Sequence, residues 1–489
     1  MQSEPSPARA LDRSLLRGLA WTGMMRWATQ ILSWASTLVV ARLLAPTDYG
    51  LVGMAMVYLG LIQLLNEFGL GLAIVQRRDL DADQIARIGG FALLVGCGLV
   101  LLSAALSGLV ARFFGEPAVQ LIVVIWSLTF LMAAAQTVPR ALLRRDLDFR
   151  RLAWADGAEA VAATVTTLTL AAAGFRYWAL VFGTLAGRLA SATLICAWRP
   201  HRVAWPSRFA SIAPAVMFGW HVVVGSLAWY FYDNADFAIV GRALGKAALG
   251  AYTLGWTIAS IPVDRVTALV GSVTLPVFSA VQDDRAALRR YLRNLTEGLA
   301  LITFPASVGI ALVADEFVLL ALGERWRPAI VPLQLLALAA ASRSVSALLP
   351  QVIISTGHPK RSMQFTILAA LILPGLFYLG SHWGAAGVAA AWLVGHPVLV
   401  MPWVLVYTLR LTNLSAWEYL RSLWPATGAT IAMAAAVLAL RWGTPASWQM
   451  SVRLGAQVLA GVAVYAAVVY GAHRRRVHAL WAVFRDLRE

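Results

Sequence analysis

Four arginines stand inside long apolar runs of this chain: Arg26, Arg188, Arg265 and Arg343. A charge at the centre of a bilayer costs roughly 3 kcal/mol on insertion scales, so such residues face a protein interior or water and mark pathways for ions or substrates. A guanidinium grips a phosphate or carboxylate through two parallel hydrogen bonds. Arginines converging on one cavity would therefore select an anion such as a diphosphate. The structural alternative is that each snorkels or pairs with a nearby acid. Arg26 is near its helix end, and Arg265 adjoins Asp264.

The acids fall in pairs. Within Tyr232-Asp233-Asn234-Ala235-Asp236, Asp233 and Asp236 share one helical face at i, i+3. They could bind a coupling cation or proton, or pair with Arg242. Asp156 and Glu159 have the same spacing and read as a local ion-pair set with Arg150 and Arg151. Trp34, Trp229 and Trp256 lie deeper than the interfacial tryptophans, and their faces could stack on sugar rings. Packing or lipid contact is the plainer reading for any one of them.

These residues need helices to hold them. The chain has 489 residues, 60% of them hydrophobic and only 13% charged. A spanning helix takes roughly 20 apolar residues, and lipid offers no partner for free backbone groups. Continuous apolar runs, rather than short alternating segments, exclude a β-barrel. The reading is an all-α polytopic membrane protein of about fourteen spans, the first at 19–44 and the last at 451–472. Residues 1–18 form a polar N-terminal segment without the features of a signal peptide. Residues 19–209 hold helices 1–6, residues 210–410 hold helices 7–12, residues 411–472 hold helices 13 and 14, and 473–489 form a basic tail.

The net charge of +16 follows from topology rather than from nucleic-acid binding. Counted by alternate loops, lysine and arginine show a threefold excess on the side that holds both termini, which places the termini in the cytoplasm. The basic stretches 140–151 and 283–293 read as short amphipathic helices on that surface. A repeat is visible as well. Ala41-Arg42-Leu43-Leu44 followed by Gly50 is matched by Gly241-Arg242-Ala243-Leu244 followed by Gly250. Gly187 and Gly395 also occupy matching places. An even-numbered repeat gives two copies of like orientation, the parallel arrangement that encloses a central site in many transporters.

Catalytic signatures are missing. There is no Walker loop, dinucleotide fingerprint, nucleophile elbow or His/Cys cluster, so no cofactor and no metal is expected. Cys97 and Cys196 both lie in apolar runs and suggest no disulfide framework. The outer loops are too short for a membrane glycosyltransferase or polymerase.

Several segments carry a resemblance. Gly18-Leu19-Ala20-Trp21-Thr22-Gly23, the run Ala41 to Ala55, and Gly69-Leu70-Gly71-Leu72-Ala73-Ile74-Val75-Gln76-Arg77 resemble the opening of the bacterial polysaccharide flippases. Leu249-Gly250-Ala251-Tyr252, Pro262 and Leu275-Pro276-Val277-Phe278-Ser279 resemble that family's helix 8. These are the Wzx-type members of the multidrug/oligosaccharidyl-lipid/polysaccharide exporter superfamily, and the similarity covers about residues 15–400. It implies two six-helix lobes around a cavity open to alternate sides of the inner membrane. The implied substrate is an undecaprenyl-diphosphate-linked oligosaccharide for exopolysaccharide or lipopolysaccharide synthesis. The implied partners are membrane lipids and the polymerase and chain-length or export proteins of the same pathway. Arg26 is the arginine that best matches the family's cationic cavity, while the helix 8 positions near Trp256 are aromatic rather than basic. An ion-coupled drug exporter of the same superfamily is the rival expectation; it would favour cavity acids over arginines.

Overall fold

The computed structural model describes residues 30–486, except for 31, 68, 69, 78, 208 and 446. All regular structure among the described residues is helical. Among the described residues, ten helices are long and apolar enough to cross a membrane. The shorter Leu32–Leu43, the helix Phe149–Ala172 and the two arms of Phe209–Ala280 bring the number to fourteen. In chain order they are α1 (Leu32–Leu43), α2 (Pro46–Gln76), α3 (Ala82–Phe114), α4 (Ala118–Arg145), α5 (Phe149–Ala172) and α6 (Tyr177–Trp198). Helices α7 (209–244) and α8 (246–280) follow, parted at Gly245, then α9 (Arg285–Leu322) and α10 (Glu324–Ser355). The last four are α11 (Pro359–Ser381), α12 (Gly384–Thr412), α13 (Ala416–Gly443) and α14 (Met450–Asp486). The protein is a multi-pass membrane protein. The sequence expectations for Arg26 and for residues 1–29 as a whole lie outside the described residues.

Local chemistry sets the helix ends. Asp81 caps α3 by accepting the Gln84 amide at 2.7 Å, while the Gln84 side chain accepts the Asp81 amide at 3.0 Å. Ser415 and Glu418 form the same reciprocal box at the start of α13. Gly115 ends α3 in the left-handed region at φ 71°. The repeat read from the sequence has a structural echo: α1 ends at Leu43 and α2 starts at Pro46, and α7 and α8 part at Gly245, where φ is 81°.

Both basic stretches differ from expectation. Residues 283–293 are no separate surface helix; Asp284 caps Ala286 and Ala287, and α9 runs unbroken from Arg285 into the apolar region. Residues 140–145 finish α4, and after a turn Asp148 caps the first turn of α5 through the Arg151 amide. The propensity of these basic residues simply extends the spans, because a helix end projecting past the membrane keeps its carbonyls and amides paired.

The chain divides into two units, Met1–Tyr230 and Phe231–Glu489. In the first, α5 and α6 pack through a small-residue stripe. Gly183, Gly187 and Ser191 recur every four residues on α6, the pattern that lets helix backbones approach closely. A Cβ on Gly187 would stand 2.7 Å from the Glu159 carbonyl oxygen and 2.9 Å from the Ala163 Cβ. In the second unit, α13 and α14 are tied to α9 by charge. Arg441 meets Asp315 at 2.7 Å, and Arg453 meets the fully buried Glu316 at 2.7 Å. Gln457 donates to the same Glu316 oxygen at 3.2 Å.

Gly187→Val should force α5 and α6 apart and cost about 1–3 kcal/mol. The measurement is the thermal unfolding midpoint of the purified protein in detergent, and a midpoint equal to wild type would contradict the close packing.

Candidate functional site

The second unit gathers an ionic and aromatic cluster from five helices. Its base is Asp236 on α7, which is fully buried. The Asp236 carboxylate accepts the Tyr252 hydroxyl of α8 at 2.6 Å and the Trp392 indole N–H of α12 at 2.8 Å. Its other oxygen accepts the Phe237 amide at 2.9 Å. Three donors on one buried carboxylate satisfy most of its lone pairs, which is what a charged group removed from water requires.

These hydrogen bonds fix the rings above it. The Trp256 and Trp392 ring centroids are 5.5 Å apart. Phe237 meets Tyr252 and Trp256 edge to face, and Phe377 of α11 packs 5.2 Å from Trp392. Arg343, from α10, lies over both indoles, with its Cζ 4.3 Å from the Trp256 centroid and 4.9 Å from that of Trp392. Each such contact is worth roughly 0.5–2 kcal/mol, more as water is excluded. Its Nη2 pairs with the Asp233 Oδ1 at 3.3 Å, and both side chains are 22% exposed. The cluster is thus a cation lying over two indole rings and paired with a carboxylate.

Helix α12 is adapted to this task. Its segment Ala391–Val400 is π-helical and carries both Trp392 and His396. Pro397 lies within it and Pro402 two residues past its end, and a proline cannot donate to a regular ladder and crowds the preceding turn. A wide turn absorbs that clash, and such turns recur at functional sites. His396 is buried beside Tyr232 and Trp392, and its Nδ1 has no hydrogen-bond partner.

The structure therefore brings four of the sequence candidates together: Asp233, Asp236, Trp256 and Arg343. Asp233 pairs with Arg343 across 110 residues of chain, where the sequence offered Arg242. As an ion-coupling pair, Asp233 and Asp236 would have to exchange the protein donors they now hold. Arg188 belongs to the first unit, where it pairs with Glu159 of α5 at 3.3 Å. Asp156 pairs with Arg140. The reading of Asp156 and Glu159 as a local set with Arg150 and Arg151 is thus corrected; their partners come from neighbouring helices, because the i, i+3 face of α5 points at α4 and α6. Arg265 and its neighbour Asp264 are exposed. Trp34 is partly exposed and Trp229 half-exposed, both in the first unit.

Trp392, Tyr232 and His396 were missed as site residues. A signal existed: Tyr252 and Trp256, and Trp392 and His396, are polar-tipped rings spaced i, i+4 inside apolar spans, and a histidine at that depth is costly unless it serves a function.

Fourteen helices among the described residues, with a paired charge and an aromatic box inside apolar spans, define the class: a multi-pass membrane protein. The chain belongs to the family described as "Polysaccharide biosynthesis protein", whose model matches residues 39–331. It is 26% identical to the lipopolysaccharide biosynthesis protein WzxC of Escherichia coli (strain K12), over 85% of this chain and 85% of that one. It is 25% identical to the teichuronic acid biosynthesis protein TuaB of Bacillus subtilis (strain 168), over 93% and 95%. Its fold is similar to that of the lipid II flippase MurJ in an inward closed conformation, with a TM-score of 0.77 at 13% identity, covering 94% of this chain and 100% of that one.

Tyr252→Phe removes a donor from a buried carboxylate and should lower stability by about 1–3 kcal/mol. Thermal unfolding in detergent reads this directly; no loss would mean that the Asp236 bonds do not organise the cluster.

Proposed function

We propose that this protein is a flippase that carries undecaprenyl-diphosphate-linked oligosaccharide units from the cytoplasmic to the periplasmic leaflet of a bacterial inner membrane. The units would feed exopolysaccharide or lipopolysaccharide synthesis. The observation that carries the reading is Arg343: a guanidinium within an apolar span, lying over two indoles and still partly exposed, so placed that it can hold a diphosphate bidentately. Family membership and the names of the relatives support the same substrate class.

Within this reading Arg343 contacts the diphosphate, and Arg26, Arg188 and Arg265 are further cationic candidates. Trp34, Trp229 and Trp256 offer faces to sugar rings. Both termini lie in the cytoplasm, as the basic excess directs. The chain has no nucleotide-binding loop, so an ion gradient or consumption of the glycan on the far side drives transport. Alternating access needs only that the ligand binds two arrangements of the protein differently. Polymerase and chain-length or export proteins of the same pathway are the partners that would consume the product.

The rival is an ion-coupled drug exporter. It predicts carboxylates free to take a cation, whereas Asp233 and Asp236 are both engaged by protein donors.

The test is a deletion strain from which diphosphate-linked lipids are extracted and assigned to a leaflet in sealed vesicles of either orientation. Complete oligosaccharide units should accumulate on the cytoplasmic leaflet and clear when the wild-type gene is restored. Units already on the outer leaflet would move the role to polymerisation or ligation. Arg343→Ala should restore less than a tenth of wild-type export while remaining in the membrane at wild-type level; full export would sink the cationic-site reading.

A further inference from the structure

The two carboxylates at i, i+3 on α7 are not equivalent. Asp236 is locked, with three donors at 2.6–2.9 Å and no exposed surface. Asp233 is held by one long contact, the 3.3 Å pair with Arg343, and both partners keep a fifth of their surface open. A guanidinium carries five N–H donors in a planar fork. The indole faces of Trp256 and Trp392 lie 4.3 and 4.9 Å from its Cζ, and the fifth of the side chain left exposed keeps it within reach of an incoming anion. A bidentate charge-assisted pair closes to about 2.7–2.9 Å, so the single longer contact is the weaker one.

We infer that Asp233 is an exchangeable counter-ion of Arg343: it neutralises the guanidinium in the absence of substrate and gives it up to the diphosphate head group of an incoming lipid. The inference rests on the proposed function and extends it, because it assigns Asp233 to release rather than to cation coupling. An unpaired arginine inside a span is costly, so a resident anion keeps the empty state stable. A diphosphate offers more charge and more acceptor oxygens than one carboxylate, so it wins the guanidinium. Once the head group leaves, Asp233 reclaims the cation and opposes rebinding. Asp236 and its three donors remain unchanged throughout, as the floor that orients the rings.

Competition has a signature that a merely structural ion pair lacks: removal of Asp233 raises affinity and lowers turnover together. The experiment uses the full-length protein purified in detergent, with farnesyl diphosphate as a short-chain probe in titration calorimetry and glycan export in the complemented deletion strain as the second readout. Asp233→Asn should bind the probe roughly tenfold more tightly than wild type, about 1.4 kcal/mol, and should export several-fold more slowly. In the Asp233→Asn/Arg343→Gln double variant the gain should vanish. Asp315→Asn, which removes an acid paired elsewhere with Arg441, should leave binding at the wild-type value.

Equal or weaker binding by Asp233→Asn, with wild type binding the probe, overturns the counter-ion role and leaves the flippase reading standing. Absence of binding by every form overturns both. Binding by Asp233→Asn alone supports the exchange, since it shows a cation sequestered in the wild type. If Asp233→Asn fails to fold, wild-type protein still decides: a melting point raised by sodium chloride over choline chloride at equal ionic strength, and suppressed by farnesyl diphosphate, would make sodium the competitor and overturn the proposal, and an unchanged melting point is the expected result.

Discussion

Hydrocarbon offers no hydrogen-bond partner, and every feature of this protein answers to that. Backbone groups must pair within their own segment, which leaves helices as the element available to long apolar runs. Side-chain charges at depth must bring a partner with them. Three described arginines of the spans do so between helices: Arg140 with Asp156, Arg188 with Glu159 and Arg343 with Asp233. An ion pair in water contributes little because solvent competes for both ends. Inside a span, sliding one helix past another would strip a charge of its partner, so each pair also fixes register. The buried Glu316 does the same for α14, and the Tyr465 hydroxyl adds a bond to the Leu301 carbonyl of α9 at 2.6 Å.

The same constraint accounts for the layered build of the site. A buried carboxylate needs donors, so Asp236 is surrounded by a tyrosine hydroxyl, an indole N–H and a backbone amide. Those donors belong to large rings, and satisfying the carboxylate therefore fixes where the rings stand. The fixed rings then present π faces to Arg343. Polar satisfaction at one level becomes geometry at the next. The π-helical stretch of α12 belongs to this chain of causes: it brings Trp392 to Asp236 and His396 to the Tyr232 ring while accommodating Pro397.

Much of the fold was legible in the sequence, because hydropathy and breakers are local signals. Gly245, Gly115 and Pro46 mark helix ends in the chain and in the structure alike. Arg343, Trp256, Asp233 and Asp236 could be picked out one by one, since a polar residue in an apolar run stands out. Their meeting could not be read. Helical periodicity tells which residues share a face, and says nothing about which helix lies opposite; Asp233 and Arg343 are 110 residues apart. Neighbouring residues misled for the same reason: Arg150 and Arg151 follow Asp148 in sequence, yet the acids one and two turns on reach for Arg140 and Arg188. Trp392 stayed hidden because tryptophan in a span is usually interfacial or packing, and a proline-induced wide turn shifts the phase by which its face would be judged.

Asp233 and Asp236 show how little the residue type decides. Their spacing marks them as a matched pair, and from sequence they invite one shared role. Depth of burial and number of donors separate them. A carboxylate with three short hydrogen bonds and no exposed surface could leave them only by breaking the cluster that positions the indoles. A carboxylate with one long contact and an open edge loses little by exchange. A transporter needs both kinds of group: a rigid floor, so that the cation keeps its place through each cycle, and a weak local rival, so that the ligand does not stay. Both are supplied here by adjacent turns of one helix, and the difference between them lies in what α8, α10 and α12 bring to each.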